Sequence, residues 1–163
     1  MKTIGLLSDT HGSIPKQVYT FFEEVDIILH AGDIGSTDAY EELKHFKPLV
    51  AVYGNIDGYE LYSQIKKIET INIEETKIIM THIGGYPKHY EKHIKEFLKI
   101  EKPKIFISGH SHILKVIYDT ELNLLHINPG AAGKYGFHNV CTMIRFNVEY
   151  GEPKDLEVLE YAK

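Results

Sequence analysis

The sequence predicts an α/β protein built from two packed sheets with helices over the outer faces. Two patterns and one bound point there. In the first half, apolar runs of strand length alternate with helix-like segments. After Lys104 short strand-like runs follow one another through turns, as in a mostly antiparallel sheet laid against the first. The chain has 163 residues, 43% hydrophobic and 25% charged, which suits one globular domain (residues 1–163) with a continuous core.

Element by element, Thr3–Leu7, Ile27–His30, Leu49–Tyr53 and Ile78–Met80 read as strands of a mostly parallel sheet. Pro15–Glu24 reads as a helix, with Pro15 suited to a first turn and Val18, Tyr19 and Phe22 at helical spacing. Thr37–Phe46 is a second helix with Tyr40, Leu43 and Phe46 on one face, and Glu91–Lys99 a third with Ile94, Phe97 and Leu98. Ile105–Ser108, Lys115–Tyr118, Leu124–Ile127, Val140–Phe146 and Leu156–Leu159 complete the strands. There is no linker, repeat or low-complexity stretch.

Composition excludes several classes. The formal charge of −5 argues against stable nucleic-acid binding or an anionic membrane surface. The apolar stretch Ile4–Leu7 is too short for a signal peptide's core, and no run reaches membrane-spanning length, so a cytoplasmic protein is expected. The lone Cys141 allows no intramolecular disulfide and reads as a buried thiol. Arg145 is the only arginine, so phosphate chemistry here would need another source of positive charge.

Ten histidines suggest that source. Five apolar runs each end in metal-competent side chains: Asp9-Thr10-His11, Gly32-Asp33, Gly54-Asn55-Ile56-Asp57, Thr81-His82 and Gly109-His110-Ser111-His112. In open parallel sheets ligands bind beyond the carboxyl ends of the strands, so these side chains converge. Asp9, His11, Asp33, Asn55, His82, His110 and His112 form a thiolate-free oxygen/nitrogen set, suited to Mn²⁺, Fe, Zn²⁺, Mg²⁺ or Co²⁺. Seven ligands are enough for two divalent ions sharing one carboxylate. Two such ions, about 3.5–4 Å apart, can generate hydroxide near neutral pH and clamp an in-line displacement at phosphorus.

These five ordered motifs resemble those of the calcineurin-like metallophosphoesterase superfamily. Together with the short chain and Asn128-Pro129-Gly130 they are most similar to its small prokaryotic phosphodiesterases, over Met1 to about Ala132. The resemblance implies the α/β/β/α sandwich of that superfamily. It also implies one ion held by Asp9, His11, Asp33 and His112 and a second by Asp33, Asn55, His82 and His110, with Asp33 bridging. Manganese stands first among the metals, with Ni, Fe, Zn, Mg and Co as alternatives. In the implied reaction the bridging hydroxide attacks phosphorus, Asp33 and Asn55 take part, and Asn55 with the second ion holds the phosphoryl oxygens.

The chain departs from the pattern in places. Ile56 stands where many members have a leaving-group-protonating histidine, and Ser36 where one branch has that histidine's supporting aspartate. Such general-acid help is typically worth ~10²–10⁴-fold. Ile83 replaces a glycine and would narrow the cleft, and Ala131 replaces a serine. Asp57 either orients a bound water or a histidine in the site, or caps its turn. His30 either bonds a ligand or is a satisfied core residue. His138 either reaches the cleft, as substrate contact or replacement acid, or belongs to its loop; His89 and His93 read as a solvated helix edge. Tyr53, Tyr59 and Tyr135 are placed to border the cleft.

The expected activity is a dinuclear-metal phosphodiesterase acting on a small-molecule phosphate ester. The alternatives are a phosphomonoesterase or pyrophosphohydrolase in the same site, or a scaffold protein like the retromer subunit that shares the fold. The antiparallel half leaves an edge that allows a homodimer.

Overall fold

The computed structural model describes all 163 residues. Ten strands form two five-stranded sheets. The first contains β1 (Lys2–Leu7), β2 (Ile27–His30) and β3 (Leu49–Ala51), which run parallel, then β9 (Val140–Glu149) and β10 (Glu152–Ala162) antiparallel beyond β1, in the order β10-β9-β1-β2-β3. The second contains β4 (Ile68–Ile73), β5 (Thr76–Thr81), β6 (Ile105–Ile107), β7 (Leu114–Asp119) and β8 (Leu124–Pro129), in the order β4-β5-β6-β8-β7. Its three central strands are parallel and its edge strands antiparallel.

The predicted elements form, but their division between sheets differs. The boundary does not fall at Lys104. β5 belongs to the second sheet, while β9 and β10 return to the first, where Ile4 pairs with Phe146 and Leu6 with Ile144. Alternating apolar residues announce a strand with a buried face but carry no information about its partner. β4 and a short α3 (Tyr59–Tyr62) were not expected. α1 is only Gln17–Phe21, whereas α2 (Thr37–Phe46) matches its predicted span and α4 covers Lys92–Glu101. The Ser36 side chain accepts the Ala39 N–H at 3.1 Å, satisfying an otherwise free donor at the start of α2.

Between the sheets lies a core of alternate inward residues: Ile4, Leu6, Leu29 and Ile144 face Ile78, Met80, Ile105, Ile107 and Ile127. On the outside of the first sheet, Val18 of α1, Phe22 at its end and Leu43 of α2 cover Leu7 and Ile28. On the outside of the second, Ile94 and Leu98 of α4 cover Ile79 and Phe106. This is the α/β/β/α sandwich expected. No helix is long and apolar enough to cross a membrane. The packing sets the carboxyl ends of β1, β2, β5 and β6 side by side, two from each sheet.

Candidate metal centre

The loops at those strand ends are stitched together by their backbones. Asp9 N–H donates to Gly32 O at 3.0 Å, His11 N–H to Asp33 O at 3.0 Å, and Gly109 N–H to His82 O at 2.9 Å. The turns are tight enough that Asp9, His11, Asp33, His110 and His112 all adopt left-handed backbone (φ between 51° and 68°). For L-residues this costs roughly 1–2 kcal/mol each and persists only where surroundings impose it. Two glycines show the crowding. A Cβ on Gly54 would overlap the Asp33 carboxylate, and one on Gly109 would overlap Ser8 Oγ and lie 2.9 Å from Ala31 O.

Six of the seven expected ligands fall into two groups, each drawing on both sheets. Asp9 and His11 of the first sheet's loops meet His112 of the second's; Asp33 meets His82 and His110. In each group the candidate ligand atoms lie within 4.8 Å of one another. Asp9 Oδ2 accepts from Ser8 Oγ (2.6 Å) and from the His110 N–H (3.2 Å). Its Oδ1 has no hydrogen-bond partner and faces His112 Nε2 at 3.1 Å, with His82 Nε2 at 3.9 Å and His11 Nε2 at 4.0 Å. Asp33 looks both ways: Oδ1 lies 3.2 Å from His82 Nε2, and Oδ2 lies 4.0 Å from His11 Nε2.

Three buried atoms in this cluster, Asp9 Oδ1, His11 Nε2 and His82 Nε2, lack hydrogen-bond partners. Buried polar atoms are rarely left so, and here all three converge on the same small volume. His82 Nδ1 is 2.7 Å from Ala31 O; a carbonyl only accepts, so Nδ1 carries the hydrogen and Nε2 is a free lone pair. Carboxylate oxygens and imidazole lone pairs gathered this way fit divalent cations. Without a cation the cluster draws protons instead. Burial pushes the His82 imidazole down, but the Asp33 and Asp9 carboxylates outweigh it and hold it above its ordinary value. Burial likewise acts to raise Asp33, yet the His82 imidazole beside it and the Ile56 N–H keep it below the usual carboxylate range.

Asn55, the seventh, is exposed and lines a hollow of about 170 Å³ with Tyr53, Tyr62, Lys67, His82 and Ile83, on the His82 side of the site. Of the two Asp57 readings, the hydrogen bonds match the turn cap. Its Oδ1 accepts from Gly35 N–H (2.7 Å) and its Oδ2 from Gly54 (2.7 Å) and Ile34 (3.2 Å). With both oxygens occupied by backbone donors, Asp57 caps its turn and ties together two of the site's loops.

Three of the six remaining histidines also find places. His30 is a satisfied core residue: Gly32 N–H donates to Nδ1 (3.2 Å), so Nε2–H faces Thr10 Oγ1 (2.9 Å), and burial takes its pKa down to about 3. His126 is buried beside Phe106 and Tyr90 with neither ring nitrogen bonded. His138 meets His112, a contact no periodicity announces. Tyr135 packs on His11 (5.0 Å between ring centroids). Tyr59 instead borders a separate open depression between Gly35–Asp38 and Gly58–Leu61, about 610 Å³, which is lined by none of the seven.

The calcineurin-like phosphoesterase superfamily domain matches residues 1–151. The chain belongs to this superfamily. A probable metallophosphoesterase of Methanothermobacter thermautotrophicus is 32% identical over 137 residues, 78% of this chain and 76% of the relative. Among solved structures, an archaeal phosphodiesterase aligns with TM-score 0.76 at 24% identity over 96% and 99% of the two chains. A single-site variant of Vps29 from Entamoeba histolytica aligns with TM-score 0.76 at 17% identity over 98% and 99%. The two structural likenesses establish a shared metallophosphoesterase-type fold.

Proposed function

We propose that this metallophosphoesterase is a dinuclear-metal-dependent phosphodiesterase acting on a small-molecule phosphate diester in the cytoplasm, with manganese as the first-choice metal. The observation that carries the reading is the position of Asp33, whose two oxygens face histidines of different groups, His82 and His11. One carboxylate so placed can serve two ions. Asp9, His11 and His112 would hold one with Asp33; His82, His110 and Asn55 would hold the other with Asp33. When bound, the pair supplies water that ionises near neutral pH and positive charge for the phosphoryl oxygens, which a chain with one arginine otherwise lacks.

The chain's own residues orient that chemistry. Ser8 and the His110 N–H hold Asp9 so that Oδ1 faces the ligand volume. Ala31 O fixes the His82 ring. The Asn55 amide, at the rim beside His82, is placed to donate to a phosphoryl oxygen, and Lys67 in the same hollow adds a positive charge for the ester's anionic group. Ile56 offers no proton to the departing oxygen, which favours good leaving groups.

The same fold in an archaeal phosphodiesterase supports the diester reading, and the same fold in Vps29 supplies the competing scaffold reading. The test is hydrolysis of bis(p-nitrophenyl) phosphate against p-nitrophenyl phosphate after chelation and Mn²⁺ addition. Metal-dependent diester turnover exceeding monoester turnover is expected. Asp33→Asn, removing several kcal/mol of charge stabilisation, should lower turnover by at least ~10²-fold. A folded protein carrying two ions yet inert toward every phosphate ester would favour the scaffold.

A further inference from the structure

His138 is exposed enough to have been a surface residue of the Gly133–Asn139 loop, yet both its ring nitrogens are engaged. Nε2 lies 2.8 Å from Gly133 O, and Nδ1 lies 3.2 Å from His112 Nδ1. A carbonyl oxygen only accepts, so the His138 hydrogen sits on Nε2 and its Nδ1 is a lone pair. His112 must then donate from Nδ1, which leaves the His112 Nε2 lone pair directed at Asp9 Oδ1, 3.1 Å away. Gly133 in turn holds the ligand loop, its N–H donating to Asp9 O at 3.0 Å. The same carbonyl of Gly133 also accepts from the buried Cys141 thiol (3.3 Å), which fixes its direction.

We propose that His138 is a positioning residue that selects the His112 tautomer able to bind a metal ion, and that Gly136 is the glycine that lets its loop close over the pair. Gly136 has φ +125°, and a Cβ there would overlap His112 Nδ1, lie 2.6 Å from His112 Cε1 and 3.1 Å from His138 Nδ1. Any larger residue would push between the two rings. His82 receives the same service from a backbone carbonyl, whereas His112 receives it from a side chain that can be replaced. The loop thereby ties two ligands of one group, Asp9 and His112, through residues that do not touch the ion. The functional consequence rests on the dinuclear reading above; the tautomer does not.

The first experiment is imidazole nitrogen NMR of the metal-free wild type at about pH 9, where ordinary histidines are neutral. His112 should carry a hydrogen on Nδ1, with or without a second on Nε2 toward Asp9 Oδ1, and His138 on Nε2; a His112 with its hydrogen on Nε2 alone overturns the proposal. The second is calorimetric Mn²⁺ titration of wild type, His138→Leu, His138→Gln and Gly136→Ala. Loss of such an outer partner typically weakens metal binding about 10–100-fold, so His138→Leu and Gly136→Ala should lose this at one of two sites. His138→Gln keeps an acceptor for His112 and a donor for Gly133, and should recover most of the affinity. Equal affinities in all four overturn the proposal. Should the leucine variant not fold, the wild-type spectrum and the glutamine variant still decide. A wild type that binds no Mn²⁺ would end the dinuclear reading while leaving the NMR result to decide the His112–His138 relation.

Discussion

Asp9 Oδ1 and His112 Nε2 lie 3.1 Å apart, although one follows the first strand of one sheet and the other follows the third strand of the second. The contact sits where the two sheets' loops meet, so the ligand groups are also joints of the sandwich. Changes to these joints should be felt in stability as well as in chemistry.

Gly54 measures how tightly the joint is packed. An alanine Cβ there would overlap Asp33 Oδ1 and lie 2.8 Å from its Cγ, while at Gly58 nothing lies within 4 Å. Gly54→Ala should destabilise by about 1–3 kcal/mol through overpacking and should weaken Mn²⁺ binding. Gly58→Ala should leave both unchanged or gain slightly in stability. Thermal unfolding with metal titration of the two variants makes the comparison.

Asp57 separates a structural carboxylate from a catalytic one. Replacing it with alanine strands the N–H groups of Ile34, Gly35 and Gly54. At about 1–3 kcal/mol for each donor left buried and unpaired, Asp57→Ala should destabilise by roughly 3 kcal/mol or more. Turnover per folded molecule should change far less than in Asp33→Asn. A large rate loss with an unchanged unfolding midpoint would restore a catalytic role to Asp57.

Acid should weaken the fold through two buried histidines. Burial lowers His30 from 6.5 to about 3 and His126 from 6.5 to about 4. Below 6.5 the unfolded chain takes up protons that the folded chain refuses, so their contribution is complete above that pH and declines as pH falls toward those lowered values. The slope approaches about 1.4 kcal/mol per pH unit for each. His126→Phe, placing an apolar ring beside Phe106 and Tyr90, should remove its share. Its urea midpoint should rise over wild type more at about pH 5 than at about pH 8; an equal shift at both would contradict the titration account.

Ile56 and Ser36 predict how rate depends on the leaving group. Ile56 is half-exposed and held by its backbone, its N–H donating to Asp33 Oδ1 at 3.1 Å, while Ser36 is committed to capping α2. Neither can protonate a departing alkoxide. Aryl diesters should therefore be cleaved much faster than alkyl diesters, with rate falling steeply as leaving-group pKa rises. Ile56→His should flatten that dependence, recovering part of the ~10²–10⁴-fold that general acids supply. A flat dependence in the wild type would show that another proton donor is present.

Much of the candidate site was readable along the chain because its candidate ligands follow directly from strand-length apolar runs: Asp9 after Ile4–Leu7, His82 after Ile78–Thr81, His110 and His112 after Ile105–Ile107. The helix Thr37–Phe46 was readable end to end from its apolar spacing, while the Ser36 cap was seen only in the structure. What escaped was partnership. Nothing local distinguishes the Asp57 carboxylate, bonded to three backbone N–H groups, from one facing a substrate, or the buried His30 from a ligand. The His112–His138 pair is likewise invisible to periodicity.

The sequence by itself determined most of the elements, though not β4 or α3, together with the superfamily resemblance and the residue types at each strand end, since apolar spacing and turn chemistry act over a few neighbouring residues. Only the tertiary structure decided that β9 and β10 return to the first sheet and that each ligand group draws on both sheets. It also decided which nitrogen of His82 is free. The physical reason is that strand pairing, close approach and hydrogen-bond direction are set by whichever distant groups packing brings within reach, and a one-dimensional pattern of polarity carries no record of those distances.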